Sequence, residues 1–242
     1  MKTVKMFFVF IWSLLESLPR YYRGKKLMAA GDMQGVRQIV AEESVSWGRM
    51  LVEGTGSTVK VIGAENVPHD EAVVVVANHQ GNFDIPVIVG YLGITTAFIA
   101  KEELRKFPVI GRWMVLQECV LIRRGNPREA LKAISAGAEL IRTGKSMVIF
   151  PEGSRSYSGR LLPFKPGSLK LAQKSGAAIL PVTIINTCHI MPKKKLRIHS
   201  AQIKLIVGER IDPSKEQTTD LIERIHAEIE GNIQKYQTFL DD

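Results

Sequence analysis

The segment Asn78-His-Gln-Gly-Asn-Phe-Asp84 sets a histidine and a carboxylate five positions apart, just after an apolar run ends. Imidazole takes up and returns a proton near neutral pH. A carboxylate on one ring nitrogen fixes its tautomer and supports the protonated form. A loop folding back between His79 and Asp84 would leave the other nitrogen free to take a proton from an alcohol. The chemistry so read is general-base activation of a bound hydroxyl, with no nucleophile supplied by the protein. The same spacing also suits a plainer arrangement, with Asp84 capping a helix and His79 hydrogen-bonded in a loop. The other histidines offer less: His69 falls in a turn pattern, His189 and His199 flank a basic loop, and His226 belongs to a C-terminal helical pattern.

A second segment is Phe150-Pro-Glu-Gly-Ser-Arg-Ser156. Gly153 beside a strand end lets backbone approach a ligand closely. Arg155 can grip a phosphate with two parallel hydrogen bonds, and Glu152 could hold Arg155 or bond a substrate hydroxyl. Without a ligand the same residues make a surface loop with a salt bridge. A third element runs from Lys101 to Gly111 and on to Leu121-Ile-Arg-Arg124. Lys101 is expected to begin a helix after a strand, near the edge that carries His79. Of Arg123 and Arg124, ending a strand, one should reach the cleft while the other points away. Solvated charges are the alternative for all three, as for the basic run Lys193-Lys-Lys195, which otherwise suits anionic head groups.

These loops need a scaffold, and the sequence supplies one. Strand patterns cover Thr58–Ile62, Ala72–Ala77, Thr95–Ile99, Val120–Ile122, Ser146–Phe150, Ala178–Ile185 and Gln202–Val207. Helical patterns cover Ile85–Tyr91, Lys101–Phe107, Pro127–Arg142, Gly167–Lys174 and Lys215–Phe239. Such alternation predicts an α/β fold: a single domain over residues 55–242 with a largely parallel central sheet flanked by helices. In sheets of this kind the working groups gather beyond the carboxyl ends of strands, where both loops would lie.

Residues 1–54 read differently, as a helical pair with membrane-associating character. Met6–Leu15 is strongly apolar and rich in Phe and Trp, yet shorter than the roughly 20 residues a spanning helix needs. Lys2 and Lys5 precede it, and Arg20, Arg23, Lys25 and Lys26 follow. No small-residue cleavage site follows, which argues against a signal peptide. An interfacial anchor and a helix packed on the body both fit, and the basic flank favours the anchor. Asp32–Leu51 then shows an amphipathic period, stopped at Gly54-Thr-Gly56.

The 242 residues carry 33 Lys and Arg against 24 Asp and Glu, a formal charge of +9. That excess favours polyanionic partners: nucleic acid, anionic lipid or a phosphorylated substrate. The basic residues are spread without the aromatic interleaving of single-strand binders or a helix-turn-helix, so nucleic acid is not expected. Cys119 and Cys188 have neither metal nor redox-motif spacing and are expected as buried free thiols in a reducing compartment.

Taken in order, the chemical blocks resemble those of the glycerophospholipid acyltransferase family, in particular the lysophosphatidic acid acyltransferases of the bacterial form. The resemblance spans roughly Val59 to Val182 and rests on Asn78-His79…Asp84, Lys101…Leu104…Pro108…Gly111…Arg124, Phe150-Pro-Glu-Gly-Ser-Arg155 and Leu180-Pro-Val182. It implies that His79 deprotonates the acceptor hydroxyl, Asp84 orients His79, and Glu152, Gly153, Ser154 and Arg155 bind the acceptor, with Arg155 on its phosphate. Arg124 and Lys101 would assist. The acyl donor would be a thioester of coenzyme A or acyl carrier protein, acting as co-substrate, with no cofactor and no metal. It also implies a peripheral or monotopic enzyme on the cytoplasmic face of the cell membrane, partnered by membrane lipids and its lysophospholipid acceptor. Glu118 stands where the family commonly has Gly, Arg123 where it has Asp, and Ser154 replaces the commoner Thr. The same blocks would serve glycerol 3-phosphate, another lysophospholipid or a lyso-ornithine lipid as acceptor. A basic protein binding membrane or nucleic acid without catalysis is the reading from another class.

Overall fold

A computed structural model of the chain describes residues 2–123, 127–193 and 197–237. The run after Ala72 is apolar at every position, as suits a strand covered on both faces. It forms β2 (Val74–Ala77), buried along its whole length. Around it stand β1 (Thr58–Ile62), β3 (Thr96–Lys101), β4 (Val120–Ile122), β5 (Ser146–Ile149), β6 (Ile179–Ile185) and β7 (Gln202–Val207). The seven strands lie in the order β1-β7-β6-β2-β5-β3-β4. Every neighbouring pair is parallel except β6 and β7. The fold is thus α/β with a largely parallel sheet. Register places Val76 beside Ile149 and Ala77 beside Val182, so β2 and β5 end together on one edge and β6 runs three residues further.

Alternation along β2 divides the core. Val75 and Ala77 face a cluster with Leu51, Val87 and Ile88, while Val74 and Val76 face one with Ala138, Leu171 and Ile225. The first layer is α3 (Met33–Gly54) and α4 (Asp84–Tyr91). The second is α6 (Pro127–Arg142), α7 (Lys170–Ser175) and α8 (Thr218–Tyr236). Leu221, Ile225, Ile229 and Ile233 repeat every fourth position of α8 and are all buried. Helices α3 and α4 approach closely: a Cβ added at Gly48 would stand 2.5 Å from the Pro86 carbonyl oxygen and 2.8 Å from the Gly90 nitrogen.

Ahead of α3 come α1 (Lys2–Glu16) and α2 (Leu18–Ala29). They run almost end to end through Ser17, whose N–H bonds to Ser13 O while its own carbonyl accepts from Tyr21 N. The first arm of the expected helical pair is therefore divided where Pro19 enters the first turn of α2. This arm is antiparallel to α3: Met6 and Val9 lie against Gly54, and Leu27 against Gly35. Asp32 caps α3 by accepting from Gly35 N at 2.8 Å. Met6 and Ser13 are buried, while Val4, Phe7, Phe8, Trp12 and Leu15 stand exposed. Among the described residues no helix is long and apolar enough to cross a membrane.

Some elements differ from the sequence reading. Lys101 ends β3 instead of opening a helix, and Glu102–Lys106 is a 3-10 turn. Pro108 forces the preceding residue out of helical geometry, and Phe107 is indeed extended. A short helix not anticipated, α5 (Ile110–Leu116), follows. Helix α7 begins three residues late because Gly167 takes φ 79° in the turn before it. Glu118 occupies a left-handed position at φ 61°. Its carboxylate lies 3.1 Å from Arg37 Nε on α3 and 3.7 Å from Lys145 Nζ beside β5. Both cysteines are free; Cys188 is buried and Cys119 half-buried.

Candidate active site

Strand β2 delivers Asn78 and His79 to the carboxyl edge of the sheet. Asn78 imitates a ladder residue with its side chain: Nδ2 donates to Ile184 O at 2.9 Å and Oδ1 accepts from Ile184 N at 2.7 Å. That pins the start of the loop to β6. The His79 backbone is held from the other side, its N–H donating to Glu152 Oε1 at 2.6 Å and its carbonyl accepting from Ser156 N at 2.9 Å. The imidazole stacks on Phe150, with ring centres 4.0 Å apart and planes 15° from parallel.

Within this frame Nδ1 of His79 lies 2.6 Å from Asp84 Oδ2. Asp84 is the first residue of α4 and has no exposed surface. Its Oδ2 also accepts from Gly81 N at 2.9 Å, and its Oδ1 accepts from the Thr187 hydroxyl. The helix N-terminus adds favourable potential for the buried charge. One acid thus does both jobs weighed above, closing the loop at the helix start and bonding the imidazole. Among the described residues Nε2 has no hydrogen-bond partner, and 14% of the His79 side chain is open to solvent. A substrate hydroxyl can reach it.

Glu152 is placed otherwise than expected. Oε1 takes the His79 N–H and Oε2 takes the Leu162 N–H at 2.9 Å, and the residue is buried. Among the described residues Glu152 makes no bond to Arg155. Burial pushes the carboxyl up to about 7, with the charge of Asp84 adding and the two backbone bonds opposing. Gly153 takes φ 68°, and the Lys165 side chain fills the space where a Cβ would stand, 2.7 Å away. Ser154 and Arg155 are exposed. Arg155 Nη1 donates to the Tyr157 phenol oxygen at 2.9 Å.

Lys101 lies on the same edge, at the carboxyl end of β3, with β5 between it and β2. Arg124 lies outside the described residues, as do Lys194 and Lys195; Arg123 is described and exposed. The site therefore combines a partnered imidazole with a free nitrogen, two buried carboxylates beneath it, and a cationic rim from Arg155, Lys165 and Lys193.

Sequence patterns did not reveal Thr187, Gln80, Asn186 or Gln237 as neighbours of this site. Gln80 Nε2 donates to Gln237 Oε1 at 2.7 Å, and Gln237 Nε2 donates to Asn186 Oδ1 at 2.8 Å. These contacts join the loop after β2, the end of β6 and the end of α8, segments whose separation leaves no local spacing to read. The one pointer was the Leu180-Pro-Val182 block, since β6 runs from it toward Thr187.

The family model described as Acyltransferase matches residues 58–185. A chloroplastic 1-acyl-sn-glycerol-3-phosphate acyltransferase, BAT2 of Brassica napus, is 37% identical over 155 residues, 63% of this chain and 45% of that protein. The 1-acyl-sn-glycerol-3-phosphate acyltransferase of Borreliella burgdorferi is 30% identical over 160 residues, 66% of this chain and 64% of that one. The chain spans about half the length of the plant and algal relatives it matches. Among solved structures, the crystal structure of the 1-acyl-sn-glycerophosphate (LPA) acyltransferase PlsC from Thermotoga maritima superposes with a TM-score of 0.86. It is 31% identical, and the match covers 97% of this chain and 94% of that one.

Proposed function

The chain belongs to the acyltransferase family, and we propose that it transfers a fatty acyl group from an acyl thioester to the free hydroxyl of lysophosphatidic acid, giving phosphatidic acid at a membrane surface. The observation that carries this reading is the 2.6 Å contact of His79 Nδ1 with buried Asp84, which leaves Nε2 free. The names of the relatives support the acceptor class.

Nε2 takes the proton as the acceptor oxygen attacks the thioester carbonyl, and Asp84 stabilises the imidazolium so formed. A carbon–oxygen bond forms, the carbon–sulfur bond breaks, and the proton passes to the departing thiolate. The transient oxyanion is met by backbone N–H groups or a neighbouring cation. Arg155 holds the acceptor phosphate, with Lys101 and Arg124 assisting. Either coenzyme A or acyl carrier protein serves as thioester carrier.

The exposed apolar face of α1 and the basic residues of α2 fit an interfacial anchor. The protein would then sit peripherally or monotopically on the cytoplasmic face of the cell membrane, where both lipid-bearing acceptor and product reside. Thiol release from acyl-coenzyme A with lysophosphatidic acid tests the reaction. Acceptor-dependent release that collapses in His79→Ala is expected. Full activity in that variant would remove His79 as the base.

A further inference from the structure

Tyr157, on the loop after β5, takes φ 58°. A bulky side chain holds that region only where its surroundings over-determine it. Its N–H is fixed to Gln80 O at 3.1 Å, one residue past His79. Its phenol oxygen accepts from Arg155 Nη1 at 2.9 Å, and the guanidinium carbon lies 6.0 Å from the ring centre. Lys193 Nζ stands 5.6 Å from the same ring centre. The segment carrying Lys193 also touches the catalytic loop, where Met191 Sδ accepts from Asn82 Nδ2 at 3.9 Å.

Two cations from distant segments thus meet at one electron-rich ring beside the catalytic histidine. Among the described residues neither Arg155 nor Lys193 has a carboxylate partner. The ring attracts each cation only weakly, and no carboxylate among the described residues neutralises either, so an anion reaching both would gain two unscreened charges. A phosphomonoester, with a charge of about −1.5 to −2 near neutral pH, answers two cations better than a singly charged diester does.

We propose that Tyr157 and Lys193 complete, with Arg155, a clamp for the terminal phosphomonoester of the acceptor lipid. Tyr157 is a positioning residue: its phenol oxygen orients the guanidinium, and its ring gathers both cations. Lys193 binds directly and supplies the second charge on which preference for a monoester over a diester depends. The inference rests on the reading of Arg155 as the residue that takes the acceptor phosphate.

The test measures kcat and KM with lysophosphatidic acid and with lysophosphatidylglycerol, a diester, in wild type, Lys193→Gln, Lys193→Arg and Tyr157→Phe. Lys193 is exposed and Tyr157→Phe keeps the ring, so the fold is retained; matching thermal midpoints check this. In Lys193→Gln the KM for lysophosphatidic acid is expected to rise roughly tenfold, the loss of one charge-assisted contact, with kcat within about twofold of wild type. Preference for monoester over diester should fall by a similar factor. Tyr157→Phe is expected to move KM in the same direction, and Lys193→Arg to restore it. A wild type active on lysophosphatidic acid whose KM is unmoved by Lys193→Gln and Tyr157→Phe would overturn the clamp alone. A wild type active only on uncharged acceptors would overturn both the clamp and the acceptor reading beneath it.

Discussion

At the scale of single residues, His79 and Asp84, the pair proposed to act on the acceptor hydroxyl, are held by contacts that do no chemistry themselves. Asp84 uses both oxygens, one on His79 and Gly81, the other on Thr187. Asp84→Asn removes the charge that supports the imidazolium and is expected to lower kcat by about 10²–10⁴. Thr187→Val leaves Oδ1 without a donor and is expected to cost about tenfold, the worth of one hydrogen bond to a buried charge. Initial rates at saturating acceptor check both, and an unchanged Thr187→Val would deny the hydroxyl any part in holding Asp84. Glu152 carries a pH dependence. Its carboxyl stands near 7 against an ordinary 4.5, so the fold favours the neutral form. The corresponding stability is present in full below pH 4.5 and is lost as pH rises through about 7. Glu152→Gln abolishes this titration, worth on the order of 3 kcal/mol. Urea unfolding at pH 5 and pH 8 is expected to show wild type losing more stability with rising pH than the variant; equal losses would remove Glu152 as the source. The sequence singled out His79, Asp84 and Arg155 because their types announce chemistry. It did not reveal the backbone contacts of Glu152, since nothing local says that a carboxylate beside an arginine will bond two backbone N–H groups.

Between elements, the closest approach is that of α3 and α4. Gly48→Ala drives a methyl into the backbone of Pro86 and Gly90. It is expected to cost about 1–3 kcal/mol and also to lower kcat, because α4 carries Asp84 at its start. A variant with the wild-type melting temperature would contradict the packing. The turn at Glu118 joins α3 to the sheet by a different means. Glu118→Gly relieves the left-handed backbone but takes the carboxylate from Arg37, which keeps its bonds to Thr143, and from the buried ammonium of Lys145, whose pKa burial already lowers. The loss of pairing is expected to win, with a net destabilisation of about 1–3 kcal/mol in chemical denaturation. A more stable Glu118→Gly would mean that strain outweighs the pairing. Strands were legible because β2 is apolar along its length and β6 at every position but Thr183, and α8 because its isoleucines repeat every fourth residue. Lys101–Phe107 misled because helix-forming residues there precede Pro108, whose steric demand acts backwards along the chain. The antiparallel turn of β7 onto β6 has no local signature either, since the partner and not the strand decides direction.

For the whole molecule, the proposed membrane anchoring rests on the exposed face of α1. Phe8 and Trp12 are 65% and 64% exposed, so charging them does not disturb the core. Each should contribute about 1.5–3 kcal/mol when buried in a bilayer. Phe8→Asp with Trp12→Asp is therefore expected to weaken vesicle binding at least about a hundredfold while leaving the melting temperature in place. Retained flotation with anionic vesicles would assign anchoring to another surface. The arrangement of the sheet also sets a schedule for synthesis. Among the described residues edge strand β1 pairs with β7 alone, and Ser57 meets Ala201 across a separation of 144 residues. At about 5–20 residues per second, β1 waits roughly 7 to 30 s for its partner to leave the ribosome. The apolar face of α1 emerges earlier, while the sheet is still open. Nascent chains arrested before Gln202 should thus already sediment with vesicles yet remain protease-sensitive beyond α3, so that the lipid surface meets this protein before the active site exists.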